Sequence, residues 1–259
     1  MFGSLFKAGR FLDAELEDWQ LQAWAWLMRH RGGMAMISRT PLASPSREHF
    51  PPTEAVGEAR AAHVFECVRR QMSMTDNDYP CRLEARTPPR ADAQVGVFWV
   101  LESPGAVNGT FDIVEGQPVI CYADSLVDQP MRLVATLAHE LSHYLILDIE
   151  EAPPGGWEAH ELATDLTVAY RGLGVFCANT AFSFEQHGDT FSQGWRSQRN
   201  GYLSPRSWAF AIAVFLALKG APIDGAEPWL KGEVAGLTRA AGRYLAKNPH
   251  FLEPLRAIG

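Results

Sequence analysis

His139-Glu140-Leu141-Ser142-His143 is the stretch on which the reading of this chain turns. Positions 139 and 143 are four apart, so a helix with about 3.6 residues per turn sets their side chains nearly above one another. The flanking residues favour that helix. Asp128 stands as a capping residue and Pro130 falls in the first turn, both ordinary start signals. Leu133, Leu137, Leu141 and Leu145 recur every four residues. Leu141 is two residues past His139, roughly 200° around the helix, so the leucine stripe faces away from the histidines. Ala135, Ala138 and Ser142 leave room for a close neighbour. Two imidazoles held this way can grip one Zn²⁺ ion at about 2.0–2.1 Å each. Glu140 can then take a proton from water activated by the ion without ligating it. The pattern points to metal-assisted hydrolysis of an amide bond; the bland alternative is two helix histidines beside a core.

A catalytic zinc ordinarily has three protein ligands and one open position. Candidates for the third lie in Trp157-Glu158-Ala159-His160-Glu161-Leu162-Ala163-Thr164-Asp165-Leu166, a second helix expected to end near Gly172 or Gly174. Pro153, Pro154, Gly155 and Gly156 form the turn that brings it back alongside the first helix. Glu161 and Asp165 share a face, which suits a ligating carboxylate and a group that orients a ligating histidine through its free N–H. Glu158 and His160 compete with Glu161. Glu158 has Leu162 where a second carboxylate would stand, and His160 sits roughly 100° from Glu161 on the helix.

At these residues the chain resembles the gluzincin metallopeptidases, whose pattern is H-E-x-x-H followed by a helix carrying E-x-x-x-D. The resemblance implies His139, His143 and Glu161 as zinc ligands, Glu140 as general base, and Asp165 as the group behind a ligand. It covers about residues 117–175. The interval from His143 to Glu161 is short, as in compact soluble gluzincins. The metzincin pattern is absent, because Ile146 and Ile149 stand where its glycine and third histidine would be. The resemblance also implies a zincin-like fold with an edge strand just upstream of the zinc helix, a place that residues 117–123 fit. Such an edge aligns an extended peptide by main-chain hydrogen bonds; a buried strand without substrate contact is the alternative.

Val95–Leu101 and Gly109–Val114 are expected to be the preceding strands, so residues 81–123 read as a small antiparallel sheet followed by helices. That succession gives an α+β class, with a helical C-terminal part. Helices are expected over 11–30, 54–73, 205–219 and 228–247, with a Pro/Ser-rich connector at 40–53 and a polar loop at 182–201. The organisation is an N-terminal helix and connector (1–53) followed by the metallopeptidase domain (54–259). A donor for the oxyanion of a tetrahedral intermediate is also needed. His187 and Tyr202 are the side chains expected to fill that role, while Tyr144, beside the second ligand, points in a different direction on its helix.

Composition agrees with a folded enzyme: 259 residues, 47% hydrophobic, can bury a sizeable core. A formal charge of −7 with no cluster of Lys or Arg argues against nucleic acid; Arg196 and Arg199 near Trp195 make only a small basic spot. No apolar run reaches the roughly 18–20 residues needed to span a bilayer, and the longest, Trp208–Leu218, reads as a core helix. The first residues lack the organisation of a secretory signal. Cys67, Cys81, Cys121 and Cys177 are scattered and read as thiols of a reducing compartment, so the cytoplasm is expected. The partner implied is a peptide or protein substrate. The alternatives are a non-catalytic zinc-stabilised binding or regulatory protein on the same scaffold, and a latent peptidase restrained by residues 1–53 or 182–204.

Overall fold

The computed structural model describes residues 9–86, 108–185 and 202–259. The expected strand at Val95–Leu101, His187, and the basic spot at Arg196 and Arg199 lie outside those residues. The chain is α+β, dominated by helices with one small sheet. Helices α1 (Ala14–Arg31), α2 (Gly33–Arg39) and α3 (Gly57–Gln71) precede strands β1 (Arg82–Arg86), β2 (Gly109–Val114) and β3 (Gln117–Ala123). Then follow α4 (Pro130–Ile146), α5 (His160–Tyr170), α6 (Gly174–Glu185), α7 (Pro205–Lys219), α8 (Gly232–Lys247) and the short α9 (Glu253–Arg256).

The sheet order is β1-β3-β2, and its pairing is mixed rather than antiparallel. β2 and β3 are joined by Glu115 and Gly116, both at positive φ (51° and 78°), the backbone of a tight two-residue hairpin turn. That turn forces antiparallel pairing, with Val114 opposite Gln117. β1 reaches β2 through the long connection 87–108, which frees it to lie parallel to β3, with Arg82 opposite Val119. β3 is therefore the central strand among the described residues, not the expected edge. Its inner residues, Val119 to Ala123, are buried. β2 takes the outer place and lies against α4.

α4 is the hub. Its leucine stripe, Leu133, Leu137, Leu141 and Leu145, is fully buried, and the helix packs against α3, α5, α6 and the sheet. The expected cap at Asp128 is not made. Gln129 holds the N-cap position without a side-chain bond, and Asp128 pairs instead with Arg60 at 3.0 Å. Pro130 is the first helical residue, as its missing N–H allows. α5 stops at Gly172, whose φ of 77° suits glycine, and whose missing Cβ would stand 2.0 Å from the carbonyl oxygen of Pro41. The amide of Ala43 donates to Gly172 O at 2.8 Å there, stitching the 40–53 connector to the end of α5.

α6 was not expected. Its helix runs through Glu185, so the polar stretch from 182 begins as helix. Its sequence, Gly174-Val-Phe-Cys-Ala-Asn-Thr-Ala, is buried nearly all round, with no polar face to give it a helical period. α7 is the core helix expected from its apolar run, capped by Ser204, which accepts from Ser207 N, and closed by Gly220 at φ 68°.

α1 packs into the same apolar core, burying Trp24, Trp26, Leu27 and Met28. It also grips the end of α4 and the loop between α4 and α5. Trp19 Nε1 donates to Pro154 O at 2.7 Å, Trp26 Nε1 to Glu151 O at 3.1 Å, and Arg31 Nε to Leu145 O at 2.7 Å. Arg31 pairs with Asp148, and His30 with Glu151. Among the described residues no helix is long and apolar enough to cross a membrane.

Candidate metal centre

His139 and His143 point from one face of α4 toward Glu161 on the first turn of α5. The Nε2 atoms of the two histidines are 3.1 Å apart. Glu161 Oε2 lies 3.3 Å from His139 Nε2 and 3.5 Å from His143 Nε2. A tetrahedral ion with bonds of about 2.0–2.1 Å sets its ligand atoms about 3.3–3.4 Å apart, and the edges of this triangle, 3.1 to 3.5 Å, bracket that spacing. Two imidazole nitrogens and a carboxylate facing one point are also a donor set that a divalent cation would satisfy. Geometry and donor chemistry therefore fit Zn²⁺. Among the described residues this is the group of His, Cys, Asp and Glu side chains close enough to hold a metal, and it includes neither Glu158 nor His160.

Each histidine is held from behind. His139 Nδ1 donates to Asp165 Oδ1 at 2.9 Å, and Asp165 is 3% exposed. Burial by itself lowers the His139 pKa, but the bonds to Asp165 and Glu161 and the nearby carboxylate charges outweigh it and raise it well above the usual range. Burial likewise works to raise the Glu161 carboxyl, and the two histidines overcome it and hold that group far below the ordinary carboxylate range. His143 Nδ1 lies 3.1 Å from His160 Nε2 and 3.3 Å from Thr164 Oγ1. His160 thus sits behind the second histidine rather than within the triangle, its ring stacked on His143 at 5.2 Å. Burial, then the neighbouring His143, keeps the His160 pKa low. Thr164 completes the arrangement by donating to His160 O at 2.9 Å.

Glu140 is 7% exposed, and its carboxyl is pushed up by burial against the pull of the two histidines. It lies against the start of β2: a Cβ on Gly109 would stand 3.0 Å from Glu140 Oε1, 2.5 Å from Thr136 Cγ2 and 2.9 Å from Cys121 O. Phe111, two residues on, stacks on Tyr144 at 5.5 Å. β2 therefore follows α4, two strand residues matching each helical turn.

Tyr202 is 55% exposed, and its ring lies 5.5 Å from that of His139. Partial burial, with the charges of Glu161, Asp165 and Glu140, keeps its phenol protonated. The adjacent Leu203 N–H donates to Asp165 Oδ2 at 2.8 Å, which ties this segment to the candidate site. Tyr144 points away, its hydroxyl donating to Pro80 O at 3.2 Å. Sequence reasoning missed the roles of His160 and Thr164 behind His143, and the closeness of Gly109 to Glu140. The spacing of 160 and 164, one turn apart beside the ligand position, was the available signal for the first pair. Compared with known protein families, characterised proteins and solved structures, the chain matches none.

Proposed function

We propose that the chain is a zinc-dependent metallopeptidase of gluzincin type, on a zincin-like version of the α+β fold, acting on a peptide or protein substrate in the cytoplasm. The observation that carries this is the ligand triangle of His139, His143 and Glu161, with edges of 3.1, 3.3 and 3.5 Å, beside a buried Glu140. When bound, Zn²⁺ supplies the Lewis acidity that makes water nucleophilic near neutral pH and polarises the carbonyl under attack. Glu140 takes the proton of the attacking water, and its burial keeps that proton available for the leaving amine. Tyr202, protonated and next to His139, is the described side chain suited to donate to the oxyanion. β2 has a neighbour on one side only among the described residues. Its position along α4 suits main-chain pairing with an extended substrate. The four cysteines are unpaired, which supports a reducing compartment.

The test is zinc content by plasma mass spectrometry, with hydrolysis of a peptide mixture, for the native chain, His143→Ala, Glu161→Ala and Glu140→Gln. One zinc per chain is expected, lost or weakened in the first two variants and kept in the third. Turnover in Glu140→Gln is expected to fall by about 10²–10⁴-fold. Undiminished hydrolysis by that variant overturns the mechanism, and failure of the native chain to bind zinc overturns the metal centre.

A further inference from the structure

We infer that the cavity between α3 and the sheet is a binding site for a primary alkylammonium group, apart from the candidate metal centre. Glu58 and Ala62, one turn apart on α3, line it with Leu83 and Ala85 of β1 and Tyr122 of β3, around a volume of about 150 Å³. The two-residue period of β1 turns Leu83 and Ala85 to one face, and the register sets Ala85 beside Tyr122. Tyr122 is 2% exposed. A buried phenol ordinarily finds a hydrogen-bond partner, yet among the described residues the Tyr122 hydroxyl has none. Glu58 likewise makes no hydrogen bond or ion pair among them. Arg60, on the same helix, is already taken by Ala55 O and by Asp128, each at 3.0 Å. Two unsatisfied polar groups therefore share one cavity.

The lining decides the ligand. Its polar groups are a carboxylate and a hydroxyl, and no basic side chain stands in the wall. The charges of Asp124 and Glu58 act on the Tyr122 hydroxyl, and with burial, the larger cause, they keep it protonated in a negative potential. A cation is favoured there. A hard metal ion takes about six or more oxygen ligands, more than these walls supply. An ammonium carries three donors on a slim apolar stem. Its head can reach the Glu58 carboxylate and the Tyr122 hydroxyl while its stem lies against Ala62, Leu83 and Ala85. The cavity is several times the roughly 10–15 Å³ that one water needs, so a stem of a few carbons fits.

The experiment titrates the full chain with n-butylammonium and follows the methyl resonances of its alanines and leucines by NMR. Saturable binding is expected, with shifts concentrated at Ala62, Leu83 and Ala85. n-Butanol, of similar shape but uncharged, should bind about tenfold more weakly. Tyr122→Phe and Glu58→Gln should each weaken the amine about three- to tenfold. Neither should lower the melting temperature of the ligand-free protein, since neither removes a contact. Acetyl-lysine amide binding more tightly than butylammonium would make a polypeptide lysine the source of the group; weaker binding would make it a free amine. Absence of saturable binding, shifts scattered over the acidic surface, or an affinity that both variants leave unchanged overturns the site. Butanol bound as tightly as the amine overturns its charge preference, and the inference with it. The readout needs neither zinc nor turnover, so it stands apart from the peptidase reading.

Discussion

Asp165 divides its carboxylate between His139 and the backbone: Oδ1 accepts from His139 Nδ1 at 2.9 Å, and Oδ2 from Leu203 N at 2.8 Å. In Asp165→Asn one oxygen becomes an amide donor, so either the histidine or the Leu203 amide meets an N–H instead of an acceptor. Zinc affinity is expected to fall about 10–100-fold, and stability by about 1–3 kcal/mol. Chelator competition and thermal unfolding of the metal-free protein measure the two separately. An affinity within twofold of native would show that Asp165 does not orient the ligand.

The support behind the second histidine is of a different kind. With Nε2 of His143 facing an ion, its proton sits on Nδ1 and is donated to His160 or Thr164. A neutral imidazole accepts that proton less strongly than a carboxylate does. His160→Ala is therefore expected to weaken zinc binding about tenfold, at the low end for such partners, and less than Asp165→Ala. His160→Asn, which keeps an acceptor, should recover part of the loss. The Co²⁺-substituted protein gives the readout: its absorption spectrum should shift in His160→Ala and return toward native in the asparagine variant.

Gly109 lies close to Glu140, its absent Cβ 3.0 Å from Glu140 Oε1. Its substitution by Ala drives a methyl into Thr136 and into the carbonyl of Cys121, which the sheet holds in place. Overpacking of this kind costs about 1–3 kcal/mol, and the displaced Glu140 should lower kcat more than it raises KM. Gly236→Ala is the control: it lies inside α8 with nothing within 4 Å of the new methyl, so about 0.5–1 kcal/mol of stabilisation is expected. Equal melting temperatures for the two variants would remove the argument.

The grip of α1 on the α4–α5 loop carries a pH dependence. The hydrogen bond from His30, with Arg29 nearby, holds the Glu151 carboxyl below its usual value. A carboxyl with a depressed folded pKa contributes stability above its unfolded value of about 4.3 and loses it as pH falls through the folded one. Hydrogen-exchange protection over 148–156 should therefore weaken as the solution is acidified below about pH 4, ahead of the core helices. His30→Ala should flatten that dependence. Protection that holds unchanged to pH 3 would exclude the pair as a clamp.

Elements set by local signals were legible in the sequence. α7 runs from Pro205 to Lys219 because Ser204, Pro205 and Gly220 mark its ends within a few residues of chain. β2 was legible too, being a short β-branched run closed by Glu115-Gly116. Features decided by distant partners were not. Asp128 looks like a cap until Arg60, far back in the chain, takes it. The parallel pairing of β1 depends on a strand well downstream. At the site, ligand chemistry and the resemblance single out Glu161, whose approach to the histidines depends on how α5 packs, and helix periodicity sets His139 and His143 on one face. It also separated His160 from Glu161, but which nitrogen of His143 His160 would meet depends on how α4 and α5 cross.

The loop between α4 and α5 is held in part through its main chain, by Trp19 and Trp26 donating to the carbonyls of Pro154 and Glu151. Carbonyls are the same whatever side chain stands above them, so this segment can drift in sequence without releasing α5. In a saturation mutagenesis map, Glu150 and Ala152 should be permissive positions between two intolerant helices. Trp19 and Trp26, far away in the chain, should behave as though they belonged to the site on α4 and α5.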